Sequence, residues 1–140
     1  MTRPTHEDGR VHGIVVGCRR EDGRWLMIRR AAHVAAPLKV CFPGGAIEHG
    51  EQHIEAAQRE LREELGVEVE LRQQVWHHLS PDKPLRLFGW LGELRSTEIT
   101  PDPAEVAEVL WLTPDEAAAH PDALPGTDEL IAALLDAADT

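Results

Sequence analysis

At 140 residues, with 42% apolar and 28% charged side chains, the chain fits one soluble globular domain with its own core. A formal net charge of −11 argues against extended contact with DNA, RNA or an anionic membrane, while a small phosphorylated ligand stays open because cations can supply positive charge locally. Cys18 and Cys41 make no disulfide framework, no apolar run reaches membrane-spanning length, and MTRPTHEDGR lacks a signal-peptide core, so a cytoplasmic protein is expected.

Residues 1–10 are polar and expected to be flexible, leaving 11–140 as the domain. VHGIVVGC is a β-branched run suited to a buried strand, EDG at 21–23 supplies a turn, and RWLMIRR reads as a second strand, so a hairpin is predicted. AAHVAAPLKV has no period and reads as a loop, and Pro43, Gly44 and Gly45 suggest a tight turn. Gln52 to Leu65 is the clearest helix, with Gly66 placed to cap its C-terminus and Gln52 a weak N-cap. VEVELRQQVWHHLS and PLRLFGWLGELRS read as strands joined at PDKP, and EVAEVLWL as a last strand. TPDEAAAH and TDELIAALLDAA close the chain as helices, Pro114 suiting a first helical position. The order predicts an α/β fold with a mixed sheet between helices.

Six glutamates fall between Glu48 and Glu64. At about 100° per residue, Ile54, Ala57, Leu61 and Leu65 form the core-facing stripe, and Glu60, Glu63 and Glu64 crowd the sector beside it. Like charges three and four residues apart cost an isolated helix about 0.2–0.5 kcal/mol per pair, so a compensating partner is expected. Arg59 offsets part of the repulsion, and a hard cation would offset more. Taken alone, the segment also reads as an ordinary solvated acidic helix.

The flanking residues decide between these readings. Gly45, five residues, Glu51, seven residues, Arg59-Glu60-Leu61, one residue, Glu63-Glu64, one residue, Gly66-Val67 matches G-x5-E-x7-R-E-U-x-E-E-x-G-U without a mismatch, U being aliphatic. A chance match at a given start is on the order of one in a billion. This pattern resembles the Nudix box, and the element order of nearly the whole chain is compatible with that family.

The resemblance implies an α/β/α sandwich with a central mixed β-sheet and a pyrophosphohydrolase that uses Mg²⁺ or Mn²⁺. By motif position it implies Glu60, Glu63 and Glu64 as metal ligands, joined by the backbone carbonyl of Gly44 or Gly45. Arg59 would orient them, Glu51 would pair with Arg59 or act through water, and Glu48 is a supporting acid. For the general base, Glu108, three residues before Trp111, is preferred to Glu105, and both also read simply as the border of a strand. The implied partner is a small nucleotide-type diphosphate, preferably an ordinary or modified nucleoside triphosphate giving a monophosphate and pyrophosphate. ADP-ribose or a nucleotide sugar is the alternative substrate, and a non-catalytic nucleotide-binding domain the alternative class. Family members often form homodimers, which keeps that assembly open.

Trp76, Phe88 and Trp90 could stack a nucleobase, with His78 or Arg86 touching phosphate, although aromatics at this spacing also read as core. The histidines show no zinc spacing, and Cys41, between Val40 and Phe42, reads as a buried structural thiol.

Overall fold

The computed structural model describes residues 5–96 and 98–139. Its strands are Val11–Cys18 (β1), Trp25–Arg30 (β2), Val40–Cys41 (β3), Gly44–Ala46 (β4), Val69–Leu79 (β5), Leu85–Leu94 (β6) and Val106–Leu112 (β7). Its helices are His53–Leu65 (α1), Pro114–Ala119 (α2) and Thr127–Ala138 (α3). A mixed sheet has the order β4-β1-β6-β5, with β1 parallel to β6, and an antiparallel sheet has the order β3-β2-β7.

The predicted β1–β2 hairpin does not form as a ladder. The turn is present, with Arg20 N–H donating to Arg24 O at 2.8 Å and one bridge from Arg19 to Trp25, but the two strands enter different sheets. Both are apolar on both faces, so each is stabilised as a central strand: β1 lies between β4 and β6, and β2 between β3 and β7. The stretch read as a loop ends in β3, and the glycines read as a turn start β4, which pairs with β1 at Val15–Gly44, Ile14–Gly45 and Gly13–Ala46.

Alternation along β1 and β2 feeds two cores. Ile14, Val16, Leu26 and Ile28 pack with Ala57, Leu61 and Leu65 of α1. Trp25 and Met27 pack on the other side with Ala117 of α2 and Leu130, Ile131 and Leu134 of α3. The layers are therefore α1, then sheet, then α2 and α3, as expected of an α/β/α sandwich. Among the described residues no helix is long and apolar enough to cross a membrane.

Helix α1 begins without a side-chain cap from Gln52; the Glu55 carboxylate instead accepts from Gln52 N–H at 2.9 Å. It ends at Gly66, whose φ of 64° lets its N–H return to Arg62 O at 2.9 Å. One stripe residue was misplaced by the helical wheel: Ile54 is 48% exposed, and Glu64 takes the buried position at the other side of the stripe. In the first turn it is His53, not Ile54, that packs against Phe88 and Trp90 of β6, whereas Glu64 bonds to β4 through Gly44 N–H.

Of the N-terminal segment expected to be flexible, residues 1–4 lie outside the described residues. Residues 5–10 contain a turn in which His6 N–H donates to Arg10 O at 2.8 Å. The His6 ring stacks on His12, and its Nε2 bonds to Ile47 O at 2.8 Å.

Candidate active site

The site begins where β4 meets α1. Gly44 approaches β1 so closely that a Cβ would lie 1.8 Å from the Ile14 carbonyl oxygen, and its φ is +156°. Only glycine fits that approach. A Cβ on Gly45 would lie 2.3 Å from the Glu60 carboxyl carbon, so the notch beside Gly45 is filled by the Glu60 carboxylate. One turn along α1, Glu64 is 4% exposed, and its Oε1 accepts a 2.9 Å bond from Gly44 N–H.

Arg59 ties the rim together. Its Nε and Nη2 donate to the two Glu51 oxygens at 2.8 and 3.0 Å, Nη2 also to Ala46 O at 2.9 Å, and Nη1 to Glu60 Oε1 at 2.8 Å. The paired bonds from Arg59 hold the Glu51 carboxyl below its usual range. Glu63 lies 3.6 Å from Arg59 Nη1 with its side chain 54% exposed. Glu48 is exposed, and its backbone N–H donates to Glu51 Oε1 at 2.9 Å.

The Glu64 carboxyl is pushed up to about 8, chiefly by burial and in part by the charges of Glu60 and Glu105, with Gly44 N–H and Arg30 opposing the rise. Burial also raises Glu60; Arg59 counters this, while Glu63 and Glu105 add to it. Helix α1 and the loop before β7 thus bring carboxylates into one another's field with too little positive charge to balance them. An all-oxygen donor set of this kind suits Mg²⁺ or Mn²⁺, and a divalent ion would reverse both shifts. Among the described residues, no three His, Cys, Asp or Glu side chains are already grouped to hold an ion. Arg59 holds Glu60, and Glu63 stands in solvent. The residues fit the ion in donor chemistry, with the Glu60 carboxylate already seated against Gly45, and closing the group takes side-chain rotation of Glu60 and Glu63.

The two candidate bases part company. Glu108 is exposed and faces Arg29 across β2 and β7, pairing with it at 3.3 Å; Arg29 also bonds Asp122 at 2.9 Å. Glu105 is half-buried, and its charge acts on both Glu60 and Glu64. The preference for Glu108 has no support in this arrangement.

The aromatic residues do not form one platform. His77 pairs with Phe88 across β5 and β6, and Phe88 and Trp90 pack on the α1 side, where Trp90 Nε1 donates to His53 Nδ1 at 2.9 Å. Trp76 and His78 lie on the α3 side, stacked at 5.3 Å with 5° between their planes. Arg86 is engaged by Asp8 at 3.0 Å and His77 at 3.1 Å. Burial pushes the Cys41 thiol up to about 11, in keeping with a structural role. A cavity of about 610 Å³ between the N-terminal turn and residues 49–50, lined by His6, Asp8, His12 and His49 among others, contains none of the α1 carboxylates.

Two residues of this region escaped the motif. Arg30 lies at the end of β2, and its charge acts on Glu64. Asp102 shapes the loop that carries Glu105; its only sequence signal is the Pro101-Asp102-Pro103 punctuation.

The sequence profile of the NUDIX domain matches residues 10–134. A Nudix hydrolase of Deinococcus radiodurans is 34% identical over 132 residues, covering 85% of this chain and 72% of the relative. An Escherichia coli 8-oxo-dGTP diphosphatase is 38% identical over 84 residues, 57% of this chain and 64% of its own. In structure, a MutT protein from Methanosarcina mazei superposes with a TM-score of 0.81 at 16% identity, over 100% of this chain and 99% of that one, a likeness of fold.

Proposed function

This chain belongs to the Nudix family of hydrolases, which act on diphosphate bonds, and we propose that it is a Mg²⁺- or Mn²⁺-dependent pyrophosphohydrolase of a nucleoside triphosphate. The observation that carries the reading is the pair of half-buried Glu60 and buried Glu64 beside the Gly44–Gly45 notch, short of balancing positive charge. Glu60, Glu63 and Glu64 are its metal ligands, with a Gly44 or Gly45 carbonyl. When bound, the ion neutralises diphosphate charge and makes a water more acidic.

The chain's own groups supply the rest. Arg59 fixes Glu51 and Glu60 in a shared network, and Gly44 N–H fixes one oxygen of Glu64. Glu105 is the general base, because its charge reaches Glu60 and Glu64 while Glu108 is committed to Arg29. Water adds to one phosphorus, the bridging P–O bond breaks, and the proton lost by water passes to Glu105. The products are a nucleoside monophosphate and pyrophosphate.

The 8-oxo-dGTP diphosphatase among the relatives supports a triphosphate over a nucleotide sugar. The test is a metal-supplemented comparison of ordinary and oxidised nucleoside triphosphates, ADP-ribose and nucleotide sugars, with products identified. Monophosphate plus pyrophosphate from a triphosphate is the expected result. Turnover confined to ADP-ribose or sugars would overturn the substrate assignment.

A further inference from the structure

The loop before β7 is bonded to the end of α1. Thr100 N–H donates to Leu65 O at 2.8 Å, and Asp102 N–H donates to Glu64 O at 2.9 Å. These are carbonyls of the last helical turn, which have no partner within a helix. Asp102 then folds the chain back on itself. Its Oδ1 accepts from Ala104 N–H at 2.9 Å, and its carbonyl accepts from Glu105 N–H at 3.0 Å and Val106 N–H at 2.8 Å. On the far side, Glu105 O accepts from Ala31 N–H, just past β2, at 3.0 Å.

Glu105 is thus gripped on both backbone groups. One grip leads through Asp102 to the backbone of Glu64, the other to β2. The prolines on either side of Asp102 limit the backbone further, since each fixes its own φ and restricts the residue before it. The side-chain bond from Asp102 to Ala104 is an Asx-type turn, the local bond that makes Asp and Asn suitable at such a position.

We propose that Asp102 is a positioning residue for the hydrolytic reaction: its turn fixes Glu105 beside the Glu60–Glu64 pair and makes the loop a rigid extension of α1. The inference rests on the reading that Glu105 serves catalysis. A displacement of about 1 Å of a reacting group costs on the order of a hundredfold in rate, which sets the scale of the effect.

The experiment is a double-mutant cycle in the full chain with Mg²⁺ and a nucleoside triphosphate, measuring kcat and KM for D102A, D102N, E105Q and D102A/E105Q. D102A is expected to lower kcat about tenfold or more with KM little changed, and D102N, which keeps the side-chain acceptor, to restore most of it. In the E105Q background D102A is expected to cost nothing further, because the group it positions is already disabled. An active E105Q overturns the Glu105 reading and the inference with it. A crippled E105Q with an unaffected D102A overturns the inference alone. Losses that multiply in the double variant would show that Asp102 acts independently of Glu105 and overturn the inference, and a thermal melt of each variant keeps folding failure apart from a catalytic effect.

Discussion

Replacing Glu64 by Gln should strengthen the metal-free fold as pH rises. Glu64 is 4% exposed, and its carboxyl is pushed from 4.5 up to about 8, chiefly by burial. A folded-state pKa above the unfolded value means that the native protein holds a proton that the unfolded chain releases. The stabilising contribution is therefore complete below about pH 4.5, declines as pH rises, and is gone above about pH 8. At 1.36 kcal/mol per unit the shift corresponds to about 5 kcal/mol, a ceiling that side-chain relaxation and water entry lower. Glutamine keeps the acceptor for Gly44 N–H and has no charge to bury. The assay is urea unfolding of wild type and E64Q in chelator from pH 5 to pH 9. The advantage of E64Q should grow across that range by a few kcal/mol, and saturating Mg²⁺ should shrink it by stabilising only the wild type. A stability difference that stays flat from pH 5 to pH 9 would refute the desolvated-carboxylate argument.

The two glycines should separate folding from catalysis. G44A drives a Cβ into the backbone oxygen of Ile14 and should cost about 2–4 kcal/mol by thermal or urea unfolding. G45A meets only the end of the Glu60 side chain, so it should unfold within about 1 kcal/mol of wild type while losing metal-dependent turnover about tenfold or more in a pyrophosphate-release assay. R59K cannot reproduce the paired bonds to Glu51 together with those to Glu60 and Ala46, and Mg²⁺ titrations of its activity should show affinity weakened about tenfold to a hundredfold. I54S should change stability by no more than about 0.5 kcal/mol, since Ile54 lies outside the core.

The motif was legible in the sequence because its parts are local: glycines, Arg59 and the glutamates sit within 23 residues, and a single helix fixes their relative directions. The sheet assignment was not. EDG makes the turn it promised, yet β1 takes its long ladder from β6, some seventy residues away, and nothing in either strand names its partner. The aromatic residues failed for a similar reason. Faces alternate along β5, and register shifts near Leu71–Gln73 and Gln74–Trp76 reset the alternation, so proximity in sequence did not predict a shared face. Spacing to Trp111 favoured Glu108 over Glu105, and it could not show that Arg29 on β2 pairs with Glu108. Helical periodicity likewise could not show that in the first turn of α1 it is His53 that packs on β6, which leaves Ile54 exposed.

The most direct test of the carboxylate centre is calorimetric titration of Mn²⁺ into wild type and E60Q/E64Q at pH 7, repeated in two buffers of different ionisation enthalpy. Wild type should bind the ion and release a proton, because Glu64 is largely protonated at that pH and must ionise to act as a ligand. The double variant should lose both binding and proton release. Equal affinity in the two proteins, with heats independent of buffer, would place the metal elsewhere and contradict the site at Glu60 and Glu64.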